Sequence, residues 1–491
     1  MLLSVNSLSA FSGTEAPAAP QYHPGMLLVK IRSGPNGAVA LGGAAGLTRA
    51  VAAALPGLGT LLSFERAGLV RRITALAEGA DPSLVQGETR ALAIMASTAS
   101  PQVAQDPNAG VSVVELHNDN DLAALESQLR VDPSIEEYAR VPIRYLMAKK
   151  VTRTGTKKQP ANGAVPTAVP PTTMLWNLMK IRWSQARAKP GFVDANNIKV
   201  AVLDTGIDKN HPDLSGVVAE YLFAHPTNAS ASSDRDIIGH GSHVAGTIAA
   251  RINNNVGING LCKCRIHAYK IFDDVPDWYA AQNYFAYFVN PIMYRRALAR
   301  CISAEVQVIN LSIGGGGAPD FQEQQLFNSL LQRGVSIVAA MGNENSFNPS
   351  FPAAIPGVIA VGATSIDDSR ATFSNMGPHI ALCAPGVSIW STLPTYPGNT
   401  GFFPKPTFPP SLDLSRPMSR DVNYAAWQGT SMASPHVAGA AALLLANKGN
   451  LNGAAVKQRL RNSAAKVPGM QGQAFTQLFG SGRLDLAKLL Q

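Results

Sequence analysis

The sequence predicts an α/β protein: a three-layer domain with a central parallel sheet, preceded by a small α+β domain. Four apolar runs in the second part of the chain are typical of fully buried parallel strands. Segments with helical periodicity lie between them, and this alternation of strand and helix is the pattern of a layered α/β domain. The strand runs are 198–203, 306–312, 335–341 and 357–363, and the helical segments are 240–251, 279–304 and 434–446.

The bulk composition limits the classes of function. Of 491 residues, 46% are hydrophobic and only 15% are charged, which is globular and argues against extensive disorder. The net charge of +9 includes a basic cluster at 144–158, but this cluster adjoins a Pro/Ala/Thr stretch and carries no nucleic-acid motif. No apolar run reaches the ~18–20 residues that cross a bilayer. We therefore expect neither a nucleic-acid partner nor a membrane span.

The chain before the large domain divides into three parts. Residues 1–23 look like a poorly ordered leader, without the basic start of a secretory signal peptide. A small domain at 24–145 is predicted to open with a strand at Pro24 and to end in a strand–helix–strand unit. That unit has a strand at Val111–Leu116, a helix with Leu122, Leu125 and Leu129 on one face, and a strand within 135–145. Residues 35–108 are rich in Ala and Gly and have no clear assignment, and 146–173 form a linker to the large domain at 174–491.

Four cysteines leave the redox compartment open. None has the C-x-x-C spacing of a zinc or redox site. Cys262 and Cys264 are too close in sequence for an unstrained bond with each other, although either could reach Cys301. Buried free thiols, including Cys383, are the alternative.

Three polar residues follow or begin predicted elements of the large domain. Asp204 ends the run IKVAVL, His240 begins the Ala/Gly-rich helix of GHGSHVAGTIAA, and Ser431 directly precedes the apolar helix of GTSMASPHVAGAAALLL. Taken singly, they could be a turn residue, a packed histidine and an N-cap. Taken together, they supply a nucleophile, a base that titrates near neutrality and a carboxylate that orients the base. The order Asp, His, Ser excludes the order found in α/β-hydrolases.

The three segments DTGIDKNHPDL, HGSHVAGTIAA and GTSMASPHVAGAAALLL resemble the Asp, His and Ser motifs of the subtilisin-like serine protease family. The resemblance covers roughly 174–491 and departs from the family pattern at Ser242, where a threonine is usual. It implies a serine endopeptidase that acts on polypeptides, with Asp204, His240 and Ser431 as its catalytic triad.

The same resemblance implies roles for four further residues. VSIVAAMGNENS places the oxyanion-hole asparagine at Asn343, and NLSIGGGG places the substrate-binding strand at Ser312, Ile313 and Gly314. This strand carries no acidic residue, so no preference for dibasic sites is expected. A catalytically inactive binding protein and an esterase are the rival functions.

A calcium site is also implied by resemblance. The segment INNNVGINGL at 252–261 is similar to a family calcium loop, with an Asn-rich turn as the alternative. The implied ligands are the Asn254 side chain, the carboxylate of Asp213 and three backbone carbonyls, those of Ile252, Val256 and Ile258. His240 and His243 are three residues apart, but no H-E-x-x-H pattern or third ligand supports a zinc site.

The small domain at 24–145 resembles the propeptide of the family. This implies a precursor that is inhibited by its own propeptide and cut within 146–173, and a secreted, monomeric enzyme. The Pro- and aromatic-rich insertion at about 395–424 is either a rim loop that affects substrate access or a tolerated surface insertion.

Overall fold

The computed structural model describes residues 21–32, 61, 63–65, 67–76, 107–146, 149–150, 175–223, 225, 233–279, 284–405, 412–449 and 451–491. The leader up to residue 20, most of the segment 35–108 and the linker at 151–173 lie outside these residues. The proposed domain boundaries therefore stay predictions.

The N-terminal part contains a four-stranded antiparallel sheet with one helix. Its elements are β1 (Tyr22–Ile31), β2 (Val70–Ala75), β3 (Val111–Leu116), α1 (Leu122–Val131) and β4 (Ile135–Pro142), with a 3₁₀ turn at Asp119–Asp121. The strand order is β2-β3-β1-β4. The two faces of β1 alternate: Leu27 and Val29 pack in one cluster with Leu125 of α1, whereas Leu28 packs with Ile292 of the large domain. The N-terminal sheet is thus placed between its own helix and the large domain.

A seven-stranded parallel sheet forms the centre of the large domain. Its strands are β7 (Lys199–Asp204), β8 (Val218–Phe223), β9 (Arg265–Lys270), β12 (Val308–Leu311), β14 (Ser336–Ala340), β15 (Ile359–Thr364) and β16 (Ile380–Pro385). They are ordered β16-β15-β14-β12-β7-β9-β8. The four predicted strand runs correspond to β7, β12, β14 and β15, and the predicted fold class is confirmed. β7 lies well inside the sheet, so its last residue is surrounded by protein.

Helices cover both faces of this sheet. They are α2 (Trp176–Lys180), α3 (Trp183–Arg187), α4 (His240–Ala249), α5 (Pro291–Ser303), α6 (Phe321–Gln332), α7 (Thr430–Lys448), α8 (Gly453–Ser463) and α9 (Leu486–Leu489), with a 3₁₀ turn at Pro468–Met470. Val200 and Val202 of β7 pack on the side of α4 and α7, and Ala201 and Leu203 pack on the side of α5 and α6. This alternation along one strand accounts for the continuous apolar run in the sequence.

Two predicted helices have different bounds in the structure. The segment predicted as helical at 279–304 contains strand pairing before Pro291, where the helix begins with Asn290 as its N-cap. The helix predicted at 434–446 begins at Thr430 instead. Its small residues pack closely and carry little amphipathic signal, which hid its first turn. Because the helix begins at Thr430, Ser431 lies within it rather than before it.

The remaining strands form two- and three-stranded pairings outside these two sheets. They are β5 (Tyr145–Leu146), β6 (Lys149–Lys150), β10 (Asp277–Tyr279), β11 (Tyr284–Ala286), β13 (Ile313–Gly314), β17 (Ile389–Thr392), β18 (Asn399–Pro404), β19 (Leu412–Ser419) and β20 (Tyr424–Gln428). The insertion at 395–424 forms the β18–β19 hairpin.

All four cysteines are buried free thiols, so the disulfide alternative for Cys262, Cys264 and Cys301 does not occur. Within the part of the chain that the structure describes, no helix is both long and apolar enough to cross a bilayer.

Candidate active site

Asp204 is held at the carboxyl end of β7, where open α/β sheets place functional groups. It is almost fully buried, and its Oδ1 accepts a hydrogen bond from the Thr205 N–H at 2.7 Å. The same oxygen accepts a hydrogen bond from Nδ1 of His240 at 2.7 Å. This second bond joins the first two residues that the sequence predicted as a triad.

His240 is the first residue of α4, and the loop before it is fixed by a carboxylate that the sequence analysis missed. Asp236 accepts hydrogen bonds from the N–H groups of Gly239 and Ser242, both at 2.8 Å, and from the Thr205 hydroxyl at 2.7 Å. Its bonds therefore tie the start of α4 to the end of β7. The signal in the sequence was an acidic residue four positions before the histidine, which is easily taken for a surface residue.

Gly241 allows α4 to approach β7 closely. A Cβ built on Gly241 would lie 2.0 Å from the carbonyl oxygen of Gly206 and 3.1 Å from the Cβ of Asp204. Any larger residue here would separate Asp204 from His240. The glycine in the HGSH segment is thus required by the distance between the two catalytic candidates.

The other ring nitrogen of His240 is the basic one. With Nδ1 donating to Asp204, Nε2 carries the lone pair, and this buried atom has no hydrogen-bond partner among the described residues. Oδ2 of Asp204 is likewise buried without a partner in the described part of the chain. The pair thus presents a proton acceptor whose tautomer is set by the carboxylate.

Ser431 lies in the first turn of α7, after Gly429, which is the N-cap with φ of 150°. Its hydroxyl donates to the carbonyl oxygen of Ser312 at 3.0 Å. The backbone N–H groups of a first helical turn have no intrahelical acceptor, and the positive end of the helix dipole adds to their attraction for anions. The position of Ser431 therefore combines a candidate nucleophile with donors that stabilise a nearby negative charge.

Asn343 is buried beside the start of α7. Its Oδ1 accepts hydrogen bonds from the Thr430 N–H at 2.9 Å and from the Thr430 hydroxyl at 3.0 Å. These two bonds fix the amide so that its NH₂ group lies on the side away from Thr430. A preorganised amide donor of this kind contributes about 2.7–4 kcal/mol to the stabilisation of an oxyanion. Thr430, adjacent to the serine, is a second supporting residue that the sequence analysis missed.

Ser312 joins the predicted substrate strand to α7. Its hydroxyl donates to the Ser431 carbonyl at 3.0 Å and accepts from the Asn310 amide at 3.0 Å. Ile313 and Gly314 follow as β13, which pairs antiparallel with Tyr145 and Leu146. The three predicted residues and Ser431 therefore lie together.

Two further histidines of the His and Ser motifs, His243 and His436, are packed residues. His243 is fully buried, donates from Nε2 to the Ile389 carbonyl at 3.0 Å and stacks on Trp427. Burial, with the nearby His240, lowers its pKa to about 3. His436 is also buried; Nδ1 donates to the Met432 carbonyl, and burial lowers its pKa to about 4. Both imidazoles are packed and hydrogen-bonded within the core, which suits a structural role.

Two of the five predicted calcium ligands, the Asp213 carboxylate and the Asn254 side-chain oxygen, already accept hydrogen bonds in this arrangement. Asp213, the one anion of the set, accepts hydrogen bonds from the Asn254 amide at 2.7 Å, the Ile258 N–H at 2.9 Å and the Tyr424 hydroxyl at 3.0 Å. The Asn254 side-chain oxygen accepts a hydrogen bond from the Val256 N–H at 3.1 Å. The other predicted ligands are the backbone carbonyls of Ile252, Val256 and Ile258. A Ca²⁺ ion requires oxygen lone pairs, whereas donors occupy this carboxylate. Among the described residues no group of three or more His, Cys, Asp or Glu could hold a metal.

Removal of calcium is therefore expected to leave the loop at 252–259 intact. In an inactive Ser431→Ala background, which avoids self-digestion, EDTA should shift the melting temperature by less than about 1 °C. Tyr424→Phe should lower it by about 1–3 °C, because a buried carboxylate oxygen loses a donor worth ~1 kcal/mol. Differential scanning calorimetry with EDTA and with added Ca²⁺ measures both effects. A decrease of more than about 5 °C in EDTA that Asp213→Asn abolishes would show that the loop does hold the ion.

The insertion at 395–424 is anchored to the loop that carries His240. The Tyr396 hydroxyl accepts from the Asp236 N–H at 3.0 Å. Arg420, which is 6% exposed, donates to the carbonyls of Ile237 at 2.8 Å and Tyr396 at 3.0 Å. Both ends of the hairpin thus support the start of α4, which favours a role beside the active site over a passive surface insertion.

Comparisons with known proteins agree with this geometry. A family model described as the subtilase family, Peptidase_S8, matches residues 195–482. Subtilisin from Bacillus pumilus is 34% identical over 301 residues, which cover 60% of this chain and 92% of that protein. The alkaline protease of Shouchella clausii is 30% identical over 381 residues, which cover 76% of this chain and 86% of that protein.

Two other matched proteins are covered over a smaller share of their own length. Subtilisin E from Bacillus subtilis (strain 168) is 34% identical over 301 residues, but the match spans only 66% of its length. The crystal structure of fervidolysin from Fervidobacterium pennivorans, a keratinolytic enzyme related to subtilisin, has a TM-score of 0.60 and 24% identity. That alignment covers 96% of this chain and 61% of fervidolysin and supports the likeness of fold.

Proposed function

The chain belongs to the subtilase family of serine peptidases, and from that membership we propose that it is a serine endopeptidase made as a self-processing precursor. Its substrates are extended polypeptides, and Asp204, His240 and Ser431 are its catalytic triad. The observation that carries the proposal is the 2.7 Å bond from His240 Nδ1 to Asp204, which leaves the buried Nε2 as a base without a partner among the described residues. We assign the Ser431 hydroxyl as the group that gives its proton to this nitrogen.

The reaction follows from the chemistry of these groups. The Ser431 hydroxyl turns from the Ser312 carbonyl to His240, gives its proton to Nε2 and attacks the substrate carbonyl carbon. The tetrahedral oxyanion accepts hydrogen bonds from the Asn343 amide and the Ser431 N–H. His240 then returns the proton to the leaving amine, and an acyl-enzyme remains. Water, deprotonated by the same imidazole, hydrolyses the ester and regenerates Ser431.

Strand pairing at Ile313 and Gly314 supports the proposal that the precursor is inhibited by its own N-terminal part. Leu146 pairs with Ile313 and Tyr145 pairs with Gly314, in the antiparallel sense expected of a bound peptide. On the opposite edge Tyr145 forms a bridge with Phe288. The last residues of the N-terminal unit therefore occupy the strand to which we assign substrate binding, and they would exclude other peptides from it.

Strand pairing at Trp427 and Gln428, just before α7, reduces the number of bonds at which we propose the maturation cut. Lys149 pairs with Gln428 and Lys150 with Trp427, in the strand that leads into α7. The chain thus runs from one strand of the cleft to the other between Leu146 and Lys149. Residues 147 and 148 lie outside the described residues, but their neighbours support a cut at one of the three bonds that join Leu146 to Lys149, within the predicted linker of 146–173.

Intact mass and N-terminal sequencing of the purified chain, followed over time with casein as substrate, test the proposal. We expect casein hydrolysis to appear together with a new N-terminus at residue 147, 148 or 149. Casein hydrolysis with a first cut elsewhere in 151–173 would retain the peptidase but contradict the maturation site. A chain that hydrolyses casein without losing its N-terminal part would contradict self-inhibition.

The same observations support the two rival functions less well than they support a peptidase. An inactive binding protein has no need of a histidine tautomer set by a buried carboxylate, and an esterase has no need of a strand that pairs with a peptide backbone. We also propose that the enzyme is secreted and monomeric, as the resemblance implies. Activity in the culture medium and size-exclusion chromatography of the mature enzyme test these two points.

A further inference from the structure

We propose that Glu323 forms a subsite that selects arginine in the substrate, two residues before the position that Leu146 occupies. The proposal rests on the proposed peptidase function and adds to it a determinant of specificity. Its starting point is Arg144, which precedes the strand in the cleft and whose long charged side chain is 2% exposed.

The backbone at Arg144 is held as that of a bound peptide. The Val289 N–H donates to the Arg144 carbonyl at 2.8 Å, on the same edge where Tyr145 bridges Phe288. Tyr145 and Leu146 continue the strand along Gly314 and Ile313. These are main-chain contacts that any extended polypeptide can make. A substrate that replaces the N-terminal segment after maturation would therefore direct its corresponding side chain into the same pocket.

The pocket is built for a guanidinium group. Nε of Arg144 donates to Oε1 of Glu323 at 3.2 Å, and Nη2 donates to Oε2 at 2.7 Å, which is the two-pronged pairing that lysine cannot make. Nη1 donates to the Gly317 carbonyl at 2.8 Å and to the Ile143 carbonyl at 3.0 Å. The Phe351 ring lies 6.0 Å from the guanidinium carbon.

Glu323 is held in place by residues of the large domain. It lies in the first turn of α6 with no exposed surface, and the Tyr294 hydroxyl donates to its Oε1 at 3.1 Å. Its N–H donates to the N-cap residue Asp320 at 2.9 Å. Because Glu323 and Tyr294 both belong to the large domain, the pocket persists when the N-terminal segment leaves.

Discrimination follows from the burial of this carboxylate. An apolar side chain in the pocket would bury the Glu323 carboxylate without a partner, which is far less favourable than a hydrogen-bonded pair. A neutral side chain of similar shape would keep some hydrogen bonds but lose the charge. We therefore expect kcat/KM to be highest for the arginine peptide, lower for lysine and citrulline, and lowest for leucine. The arginine and leucine peptides should differ by at least about 30-fold in kcat/KM.

The alternative is that Arg144 only anchors the N-terminal unit of the precursor. The two roles differ after maturation, because an anchor has no effect on free substrates. The experiment uses the self-matured full chain and quenched peptides with the sequence of residues 141–150, VPIRYLMAKK, in which the arginine is kept or replaced by lysine, citrulline or leucine. Mass spectrometry confirms that every peptide is cut at the same bond.

Wild type should cleave the arginine peptide at least about 30-fold more efficiently than the leucine peptide. Glu323→Gln, which keeps the shape, should reduce this ratio by at least about tenfold, and Glu323→Leu should prefer leucine. Gln325→Leu, on the exposed face of the same helix, should keep the wild-type ratio. A wild-type ratio within about threefold, from enzyme that hydrolyses casein, overturns the subsite alone. Enzyme that cleaves neither casein nor any peptide overturns the proposed function, and the subsite with it.

Discussion

Ser431→Ala is expected to give a chain that stays at full length and hydrolyses no casein, with a loss of self-cleavage rate of about 10⁶-fold. Alanine removes the oxygen that we assign as the nucleophile, and within the described part of the chain this hydroxyl donates one hydrogen bond, to the Ser312 carbonyl at 3.0 Å. The fold should therefore survive the change. The first-order disappearance of full-length chain, followed by intact mass, measures the effect on the precursor itself.

Two controls make this result specific. Ser329→Ala removes a hydroxyl that donates to Gln325 on the surface of α6 and should mature at the wild-type rate. A trace of mature wild type added to Ser431→Ala tests whether the cut can be made between molecules. Maturation of Ser431→Ala by itself at a rate near that of wild type would remove Ser431 from the role of nucleophile.

Asp204→Asn is expected to lower the rate of self-cleavage by about 10⁴-fold without unfolding the chain. If the amide oxygen takes the place of Oδ1, the NH₂ group replaces Oδ2, which is buried without a partner among the described residues. The negative charge that stabilises the imidazolium is then lost. If the amide is reversed, its NH₂ group faces Nδ1 of His240, so Nε2 must carry the proton and cannot act as the base.

The kinetics separate this effect from a general loss of structure. Asp204 does not contact the substrate in the proposed mechanism, so with matured enzyme kcat should fall while KM changes by less than about threefold. Asp234→Asn, an exposed acid in the segment before His240, is the matched control and should behave as wild type. A fall in kcat of less than about tenfold for Asp204→Asn would show that the carboxylate does not orient the histidine.

Local sequence patterns were sufficient for the fold class, and they also supplied the three residues that we propose as the triad. The continuous apolar run of β7 predicts a strand buried on both faces, and the residue that ends it lies where the adjacent strands also end. The small residues around His240 and Ser431 reflect close packing: a Cβ added at Gly241 would lie only 2.0 Å from the Gly206 carbonyl oxygen. These features are local because a strand, a helix start or a close backbone approach is determined by consecutive residues.

Local patterns were misleading where a helix lacks an apolar stripe. α7 is buried on nearly all sides, so its first turn has no periodicity that marks its beginning, and Ser431 was expected before the helix rather than within it. The segment before Pro291 contains aromatic residues at spacings that also suit a helix, but strand pairing with a partner segment decided its conformation. In both cases the packing partners determined the outcome.

What the sequence by itself determined is the alternation of strands and helices in the large domain and the choice of Asp204, His240 and Ser431 as the catalytic candidates. Only the tertiary structure decided which donors surround Asp213, because Tyr424 is 211 residues away from it. Only the tertiary structure joined Arg144 to Glu323, which lie 179 residues apart and carry no shared motif. The physical reason is that periodicity encodes the conformation of neighbouring residues, whereas contacts between distant segments depend on how whole elements pack.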